Sequence, residues 1–199
     1  MKILVIGGNG TLGKQICREL AQEDEIITAG RNSGDYRVDI TSPGSIRQLF
    51  EQINGPDACI CVAASGALDD FQTLTEDELL SNMKGKFFGQ ANLVLIGQHY
   101  LNKGGSFTLT SGVFADHPAK SVTGGGVVSG ALHSFVLSAA LELKDRFRVN
   151  CISPGMAEDS VKDFGHLFPD LKAVSMERLT EAYRQCVYGK DTGEIFRIY

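Results

Sequence analysis

Six residues near the N-terminus have the spacing Gly-x-Gly-x-x-Gly, which suits the binding of a phosphate group. They are Gly8-Asn9-Gly10-Thr11-Leu12-Gly13, and they follow an apolar run of strand length. Glycine has no Cβ, so the backbone of such a strand-to-helix turn can approach a dinucleotide diphosphate and present unpaired N–H groups to it. We expect the contacts to come from Gly7, Asn9, Gly10, Thr11, Leu12 and Gly13. A glycine-rich turn without a ligand is the alternative.

The end of the second predicted strand indicates which dinucleotide would bind. It reads Thr28-Ala29-Gly30-Arg31-Asn32-Ser33. A carboxylate at this place binds the ribose 2′-OH of NAD, whereas an arginine accommodates the 2′-phosphate of NADP. Arg31 carries a permanent positive charge, and Asn32 and Ser33 can donate further hydrogen bonds. The sequence therefore favours NADP(H) over NAD(H), and the alternative is an exposed arginine paired with Asp35.

The order of predicted strands and helices indicates how these residues are positioned. Apolar runs of strand length alternate with segments that have helical spacing or helix-capping residues. Strands are predicted over 2–6, 25–29, 36–40, 57–64, 105–111, 148–153 and 193–198, and helices over 11–23, from 42 onward, over 75–100 and over 126–143. This alternation predicts the α/β class, with a doubly wound parallel sheet in a Rossmann-type three-layer sandwich. We expect one domain over residues 1–199.

The composition is that of a globular protein with an acidic surface. The chain has 199 residues, 43% of them hydrophobic, and a net charge of −5. We therefore expect no nucleic-acid partner, and the short apolar start predicts neither a leader nor a membrane span. The odd number of scattered cysteines, without Cys-x-x-Cys spacing, predicts apolar packing groups in a reducing cytoplasm and no metal site. These residues are Cys17, Cys59, Cys61, Cys151 and Cys186.

Five further segments carry a resemblance to a known family. They are Val38-Asp39-Ile40, Cys61-Val62-Ala63-Ala64-Ser65-Gly66, Asn82-Met83-Lys84-Gly85, Thr110-Ser111-Gly112 and Asn150-Cys151-Ile152-Ser153-Pro154-Gly155. Together with the glycine turn, read as Gly7-x-x-Gly10-x-x-Gly13, they resemble the short-chain dehydrogenase/reductase superfamily over almost the whole chain. The resemblance implies an enzyme that reversibly transfers a hydride between a nicotinamide coenzyme and an alcohol or carbonyl compound.

The resemblance also implies roles for individual residues. Asp39 and Ile40 would meet the adenine ring, with stabilisation of the turn before Ser42-Pro43 as the alternative role of Asp39. The remaining coenzyme contacts that it implies are Ala63, Ala64, Ser65, Pro154 and Gly155. Ser111, at the carboxyl end of a parallel strand, would polarise a substrate carbonyl, or else make only a strand-end hydrogen bond. Asn82 would be the second catalytic residue, unless it merely bridges backbone groups to water.

The sequence departs from the family's pattern at the Tyr-x-x-x-Lys motif. The alignment puts Gly125 at the tyrosine and Ser129 at the lysine. Glycine has no side chain to supply a proton, and serine carries no charge. The loss predicts either an enzyme with a changed mechanism or a catalytically impaired coenzyme-binding sensor or regulatory protein. For the enzyme, His117 is the expected replacement acid, with an exposed loop histidine as the alternative.

The remaining histidines and the two long helices predict a homo-oligomer and no histidine metal site. The other three histidines lack metal-ligand spacing and are predicted to be surface or helix residues. They are His99, His133 and His166. The resemblance implies dimerisation through the two long helices, so we expect a homo-oligomer that acts on a small-molecule substrate.

Overall fold

The computed structural model describes residues 1–63 and 68–199, and its centre is a parallel β-sheet. The strands are β1 Lys2–Ile6, β2 Glu25–Gly30, β3 Tyr36–Arg37, β4 Ala58–Cys61, β5 Ser106–Thr110, β6 Arg148–Pro154, β7 Met156–Ala157, β8 Ala173–Val174 and β9 Ile195–Ile198. Seven of them pair in the order β3-β2-β1-β4-β5-β6-β9, and every pair is parallel. The strands β7 and β8 form a separate parallel pair.

Helices lie in the connections between successive strands, except from β2 to β3 and from β6 to β7, and cover both faces of the sheet. They are α1 Thr11–Leu20, α2 Pro43–Ile53, α3 Glu76–Asn82, α4 Gly89–Gly97, α5 Thr123–Leu143, α6 Val161–Phe164 and α7 Met176–Tyr188. A π-helical segment, Met83–Phe88, joins α3 to α4 without a break. Short 3₁₀ turns cover Val113–Ala115 and Glu158–Ser160.

Alternate residues of each strand pack on opposite faces of the sheet and form two cores. Leu4 of β1 belongs to a cluster with α2, α4 and α5, whereas Ile3 and Val5 belong to a cluster with α1 and α7. Because the strands are buried on both faces, their sequences are continuous apolar runs. The structure thus confirms the predicted doubly wound sheet between two layers of helices.

The third strand is shorter than the sequence predicts. It covers Tyr36–Arg37, so the predicted extension to residue 40 is wrong. The Asp39 carboxylate accepts hydrogen bonds from the Thr41 N–H and hydroxyl groups at 3.0 and 2.8 Å. This turn leads the chain to Ser42, the N-cap of α2, and strand pairing ends before it.

Two helices also differ from the sequence prediction. Helix α5 begins at Thr123 instead of residue 126, because the Asp69 carboxylate accepts hydrogen bonds from the N–H groups of Thr123 and Gly124. Helix α7 is absent from the sequence prediction. Its N-cap is Ser175, whose hydroxyl accepts a hydrogen bond from the Arg178 N–H, and its apolar face packs in the second core.

In the part of the chain that the structure describes, α5 is the one helix long and apolar enough to cross a bilayer, judged by length and composition. One side of α5 packs in the first core through Leu132, Val136 and Ala140. The other side exposes apolar residues, among them Leu137 and Leu141.

Candidate functional site

The glycine turn between β1 and α1 brings backbone atoms into close contact. Gly7 has a φ of +84°, and its N–H donates to the Ala29 carbonyl oxygen at 2.8 Å. A Cβ on Gly7 would lie 2.8 Å from the Ala63 nitrogen, and one on Gly13 would overlap the Gly7 carbonyl oxygen. Both positions therefore require glycine, and the first turn of α1 packs directly on the end of β1.

The N-terminus of α1 presents unpaired backbone donors. Its N-cap is Gly10, which has no side chain that could cap the helix, and the first turn contains no acidic residue. By contrast, the side chains of Ser42 and Thr75 cap α2 and α3. The N–H groups of residues 11–13 have no acceptor within the helix, and the helix dipole adds positive potential there. This end of α1 can therefore bind a diphosphate.

A pocket of about 230 Å³ lies beside this turn. Its lining residues are Ile6, Gly30, Arg31, Asn32, Val38, Ile40, Ala63 and Gly85. Most of these side chains are apolar, and the polar ones, Arg31 and Asn32, are exposed. An apolar slot next to an anion site suits the adenine and diphosphate of a dinucleotide. The predicted contacts Ala64 and Ser65 lie outside the described residues.

Arg31 lies at the exposed edge of the pocket. Its guanidinium is 3.8 Å from the Asp39 carboxylate, and its side chain is 67% exposed, which makes the ion pair weak. Asp35, the other partner considered from the sequence, instead accepts hydrogen bonds from the Thr28 N–H and hydroxyl, both at 2.8 Å. Arg31 is thus available to an anionic ligand, and the neighbouring Ser33 is also exposed.

Asp39 has the turn-stabilising role that was one of its two predicted functions. The Thr41 hydroxyl, followed by the Thr41 N–H, lowers the pKa of the Asp39 carboxyl group. Ile40 lines the pocket and packs closely on α4, since a Cβ on Gly89 would lie 2.8 Å from Ile40 Cδ1. Contact of Asp39 with an adenine ring stays a prediction.

A buried polar network holds the carboxyl end of β5. Gln90 Oε1 accepts a hydrogen bond from the Thr110 N–H, and Gln90 Nε2 donates to the Thr110 carbonyl oxygen, both at 2.8 Å. The Thr110 hydroxyl donates to the Cys61 carbonyl oxygen at 2.6 Å and lies 2.8 Å from the Tyr183 hydroxyl. Because buried polar groups are costly to leave unpaired, the network fixes where the chain leaves β5.

Ser111 follows this network directly and contacts a histidine. Ser111 Oγ lies 2.8 Å from His133 Nε2 and donates to the Ile152 carbonyl oxygen at 3.3 Å. The serine is 4% exposed, and the histidine is half-buried. The pKa of His133 lies below its usual value, and burial is the largest cause of this shift. A weakly acidic hydroxyl and a titratable imidazole thus share one hydrogen bond at the strand end.

The histidine that contacts Ser111 differs from the one expected from the sequence. His117 is exposed, and its ring packs edge-on against Tyr199 with 5.0 Å between centroids. His133 was expected to be only a surface or helix residue. The sequence could have predicted that His133 lies near this site. Gly125, Ser129 and His133 follow one another at intervals of four residues and therefore share one face of α5.

Lys86, which sequence reasoning also missed, brings a positive charge to the same place. Its Nζ donates to the Ser111 carbonyl oxygen at 2.8 Å. Burial lowers the pKa of the ammonium group, and none of the ion pairs among the described residues includes it. A Cβ on Gly112 would lie 3.9 Å from Lys86 Nζ and 3.5 Å from Ser129 Oγ. The π-helical segment therefore places a cation near Ser129, the residue that the sequence alignment puts at the family's lysine.

The other predicted catalytic residue, Asn82, packs at the start of α5. Its side-chain amide occupies the space that a Cβ on Gly124 would need. Within the described structure the hydrogen bonds of Ser111 do not include Asn82. At Gly125 a Cβ would meet the Val122 side chain at 4.0 Å, an ordinary van der Waals contact.

Pro154 is the last residue of β6, and Gly155, which follows it, packs against Tyr199. A Cβ on Gly155 would lie 2.9 Å from Tyr199 Cβ. The Tyr199 hydroxyl donates to the Asp116 carboxylate at 2.8 Å, and the Arg197 guanidinium pairs with that carboxylate at 3.2 Å. These contacts join the Pro-Gly segment to the loop that follows β5.

The cysteines are free thiols, of which Cys17 is half-buried and the other four are buried. Burial raises the pKa of Cys61 to about 12 and that of Cys151 to about 11, so both thiols are protonated at neutral pH. Over residues 1–63 and 68–199, no three His, Cys, Asp or Glu side chains cluster as metal ligands do.

Comparison with known proteins agrees with this geometry. The family model described as enoyl-(acyl carrier protein) reductase matches residues 6–182. The protein lin1944 from Listeria innocua is 37% identical, with a TM-score of 0.97 and 100% of both chains covered. A small-chain dehydrogenase is 25% identical, with a TM-score of 0.85 over 100% of this chain and 95% of the other. A small-chain dehydrogenase in complex with NADPH is 24% identical, with a TM-score of 0.88 over 100% and 96%. No curated protein sequence matches significantly.

The sheet, the glycine turn and the pocket define a protein with a Rossmann-type nucleotide-binding fold. The chain belongs to the short-chain dehydrogenase/reductase superfamily, in the family that the enoyl-(acyl carrier protein) reductase model represents. The resemblance stated from the sequence motifs is thereby confirmed.

Gly13→Ala is expected to destabilise the protein, because the added Cβ overlaps the backbone of the turn. We expect a loss of about 1–3 kcal/mol in the free energy of unfolding, measured by urea denaturation. Gly130→Ala is the matched control in α5, where nothing lies within 4 Å of a Cβ. There the helix propensity of alanine should add up to about 1 kcal/mol. Equal effects of the two substitutions would contradict the close packing of the turn.

Proposed function

We propose that this protein is an NADP(H)-dependent oxidoreductase that transfers a hydride between the nicotinamide and a small carbonyl or alcohol substrate. Its family gives the general class, an oxidoreductase of the short-chain dehydrogenase type. The observation that carries the coenzyme assignment is the uncapped N-terminus of α1 beside a pocket lined by Arg31. A protein of the same fold is a small-chain dehydrogenase in complex with NADPH, which supports the proposal.

The coenzyme would extend from the glycine turn toward β2 at its adenosine end. The N–H groups of residues 11–13 would bind the diphosphate, and the apolar wall of Val38 and Ile40 would contact the adenine. Arg31 would pair with the 2′-phosphate, because its exposed guanidinium offers several donors to phosphate oxygens. Asn32 is the polar neighbour that would add a hydrogen bond there.

The other end of the coenzyme would lie over the carboxyl ends of β5 and β6. When bound, the nicotinamide supplies or accepts the hydride. Pro154 and Gly155 would flank it, and Ser111 would hold the substrate oxygen by a hydrogen bond. Ligands in doubly wound folds bind at this edge of the sheet, which is where these residues lie.

A second candidate is a coenzyme-binding sensor or regulatory protein without turnover. It is favoured by Gly125, which has no side chain at the position that the sequence alignment gives to the family's proton donor. The two functions are separated by incubating the protein with NADPH and a panel of ketones, aldehydes and quinones. Oxidation of NADPH supports the enzyme, whereas binding of NADPH without oxidation of any compound supports the sensor.

We further propose that the protein acts in the cytoplasm on a small molecule. Its five cysteines are free, as is usual in a reducing compartment. The net charge of −5 disfavours binding to a nucleic-acid backbone.

Calorimetric titration of NADPH and NADH tests the coenzyme assignment. We expect NADPH to bind more tightly, and Arg31→Asp to weaken NADPH binding because a charged hydrogen bond to phosphate is lost. The expected loss is about 1.5–3 kcal/mol, or roughly 10- to 100-fold in Kd. Arg18→Asp, at an exposed residue in the last turn of α1, makes the same change in net charge away from the pocket and should have little effect. Tighter binding of NADH by the unaltered protein would contradict the preference.

We also propose that the protein forms a homo-oligomer through its two long helical segments. Exposed apolar side chains lie along the α3-to-α4 segment and along α5. They are Leu80, Phe88, Leu95, Val127, Leu137 and Leu141. A second copy of the chain would cover these side chains by packing its own helices on them.

Leu141→Glu is expected to shift the protein to a monomer, because it places a charge on this apolar face. The mass in solution, measured by light scattering after gel filtration, checks the prediction. Phe71→Glu is a matched control, since Phe71 and Leu141 are both 75% exposed but Phe71 lies outside the helices. A monomeric unaltered protein, or equal masses for the two variants, would contradict the proposed interface.

A further inference from the structure

Three polar side chains meet at the carboxyl end of β5, and the coenzyme contacts proposed above leave two of them without a role. Ser111 Oγ lies 2.8 Å from His133 Nε2, and Lys86 Nζ donates to the Ser111 carbonyl oxygen at 2.8 Å. They come from three different elements: the end of β5, helix α5 and the π-helical segment. Mid-helix π turns are rare and often occur at functional sites.

We infer that Ser111 and His133 form a proton relay for the substrate hydroxyl, and that Lys86 stabilises the negative charge that develops on the oxygens. Ser111 is the catalytic residue, because it touches the substrate oxygen. His133 acts through Ser111, and Lys86 is a positioning and electrostatic residue. The inference rests on the proposed oxidoreductase function and supplies the acid–base group that Gly125 and Ser129 lack.

The relay accounts for every proton and electron pair in the oxidation of an alcohol. The substrate hydroxyl gives its proton to Ser111 Oγ while the Ser111 proton moves to His133 Nε2. A bound oxidised nicotinamide would take up the hydride from the carbinol carbon, and the substrate C–O bond would become a carbonyl. The imidazolium then releases its proton to solvent. Carbonyl reduction follows the same steps in reverse.

The hydrogen bonds of Ser111 fit both states of such a relay. One hydroxyl proton can point to His133 Nε2 at 2.8 Å or to the Ile152 carbonyl oxygen at 3.3 Å. When His133 accepts, Ser111 donates to it; when His133 donates, the Ser111 proton turns to the carbonyl or to the substrate oxygen. The half-buried position of His133 leaves a path for proton exchange with solvent.

The charges around His133 set its protonation at neutral pH. Burial lowers the pKa of His133, the Asp116 carboxylate opposes this shift, and the Arg197 and Lys86 cations add to it. Asp116 is itself held by Arg197 and by the Tyr199 hydroxyl. His133 is therefore neutral at pH 7 and ready to accept a proton. Alcohol oxidation should rise with pH through the pKa of His133 and stay constant above it, whereas carbonyl reduction should fall over that range.

Lys86 contacts the Ser111 carbonyl oxygen and lacks a carboxylate partner in the described structure. Its partly buried ammonium group would attract a negative charge on Ser111 Oγ or on the substrate oxygen, and the low exposure would strengthen that attraction. Lys86→Met removes the charge and keeps most of the length of the side chain. The substitution should therefore raise the pKa of His133 and slow turnover.

A pH titration of the histidine side chains by NMR tests the relay without any coenzyme. Protein labelled with ¹⁵N-histidine gives four sets of imidazole signals, one for each histidine, which His→Gln variants assign. We expect His133 to titrate below an ordinary histidine, to shift upward in Lys86→Met and to shift again in Ser111→Ala. A His133 that titrates as an ordinary histidine and ignores both substitutions would overturn the inference. Thermal unfolding confirms that each variant is folded.

Oxidation of a panel of secondary alcohols with NADP⁺ tests the catalytic part. His133→Gln can still hydrogen-bond Ser111 but cannot carry a proton, so kcat should fall by about 100-fold or more while the Kd for NADP⁺ stays unchanged. The pH dependence of the rate that His133 causes should disappear with it. His166→Gln, at an exposed histidine, is the control that should keep the rate of the unaltered protein.

Two results of this experiment would count against the relay. One is a His133→Gln variant that turns over as fast as the unaltered protein. The other is NADP⁺ that binds without oxidation of any alcohol in the panel, a result that also favours the coenzyme-binding sensor over the enzyme. Absence of coenzyme binding would instead overturn the proposed function, even if the NMR titration showed the coupling of His133 to Lys86.

Discussion

The contact between the first turn of α1 and the end of β1 determines where the anion site and the neighbouring pocket form. Gly13 sits against the Gly7 carbonyl oxygen so closely that no Cβ fits between them. This contact points the uncapped N–H groups of α1 at the carboxyl edge of the sheet and leaves space beside Ala63 for the pocket. An anion site and an apolar slot therefore arise from one backbone constraint.

A different set of contacts, made by Gln90, positions the carboxyl end of β5. The side chain of Gln90 binds both backbone groups of Thr110, and this buried pair fixes the exit of the chain from β5. Neither Gln90 nor Thr110 belongs to the glycine turn. The glycine turn is therefore fixed independently of the residues on α5, Gly125 and Ser129 among them. Lys86 and His133 reach the same strand end from two different helical segments.

The sequence predicted what depends on local pattern. The glycine spacing, the apolar runs and the cap at Ser42 each act over a few residues, and the sheet built from them is confirmed. The contacts of Ser111 were missed because Lys86 and His133 lie 25 and 22 residues from it in sequence. A π-helical segment adds a residue to a turn, so an ordinary helical period cannot predict which side of Met83–Phe88 faces β5.

We propose above that the first turn of α1 and its neighbouring pocket bind a nicotinamide dinucleotide. NMR of ¹⁵N-labelled protein during addition of NADPH follows each backbone N–H of this turn separately. If the dinucleotide binds there, the largest shift changes fall on residues 8–13, with further changes at Arg31 and Ile40. Unchanged signals at saturating NADPH, or changes confined to residues away from this edge of the sheet, would contradict it.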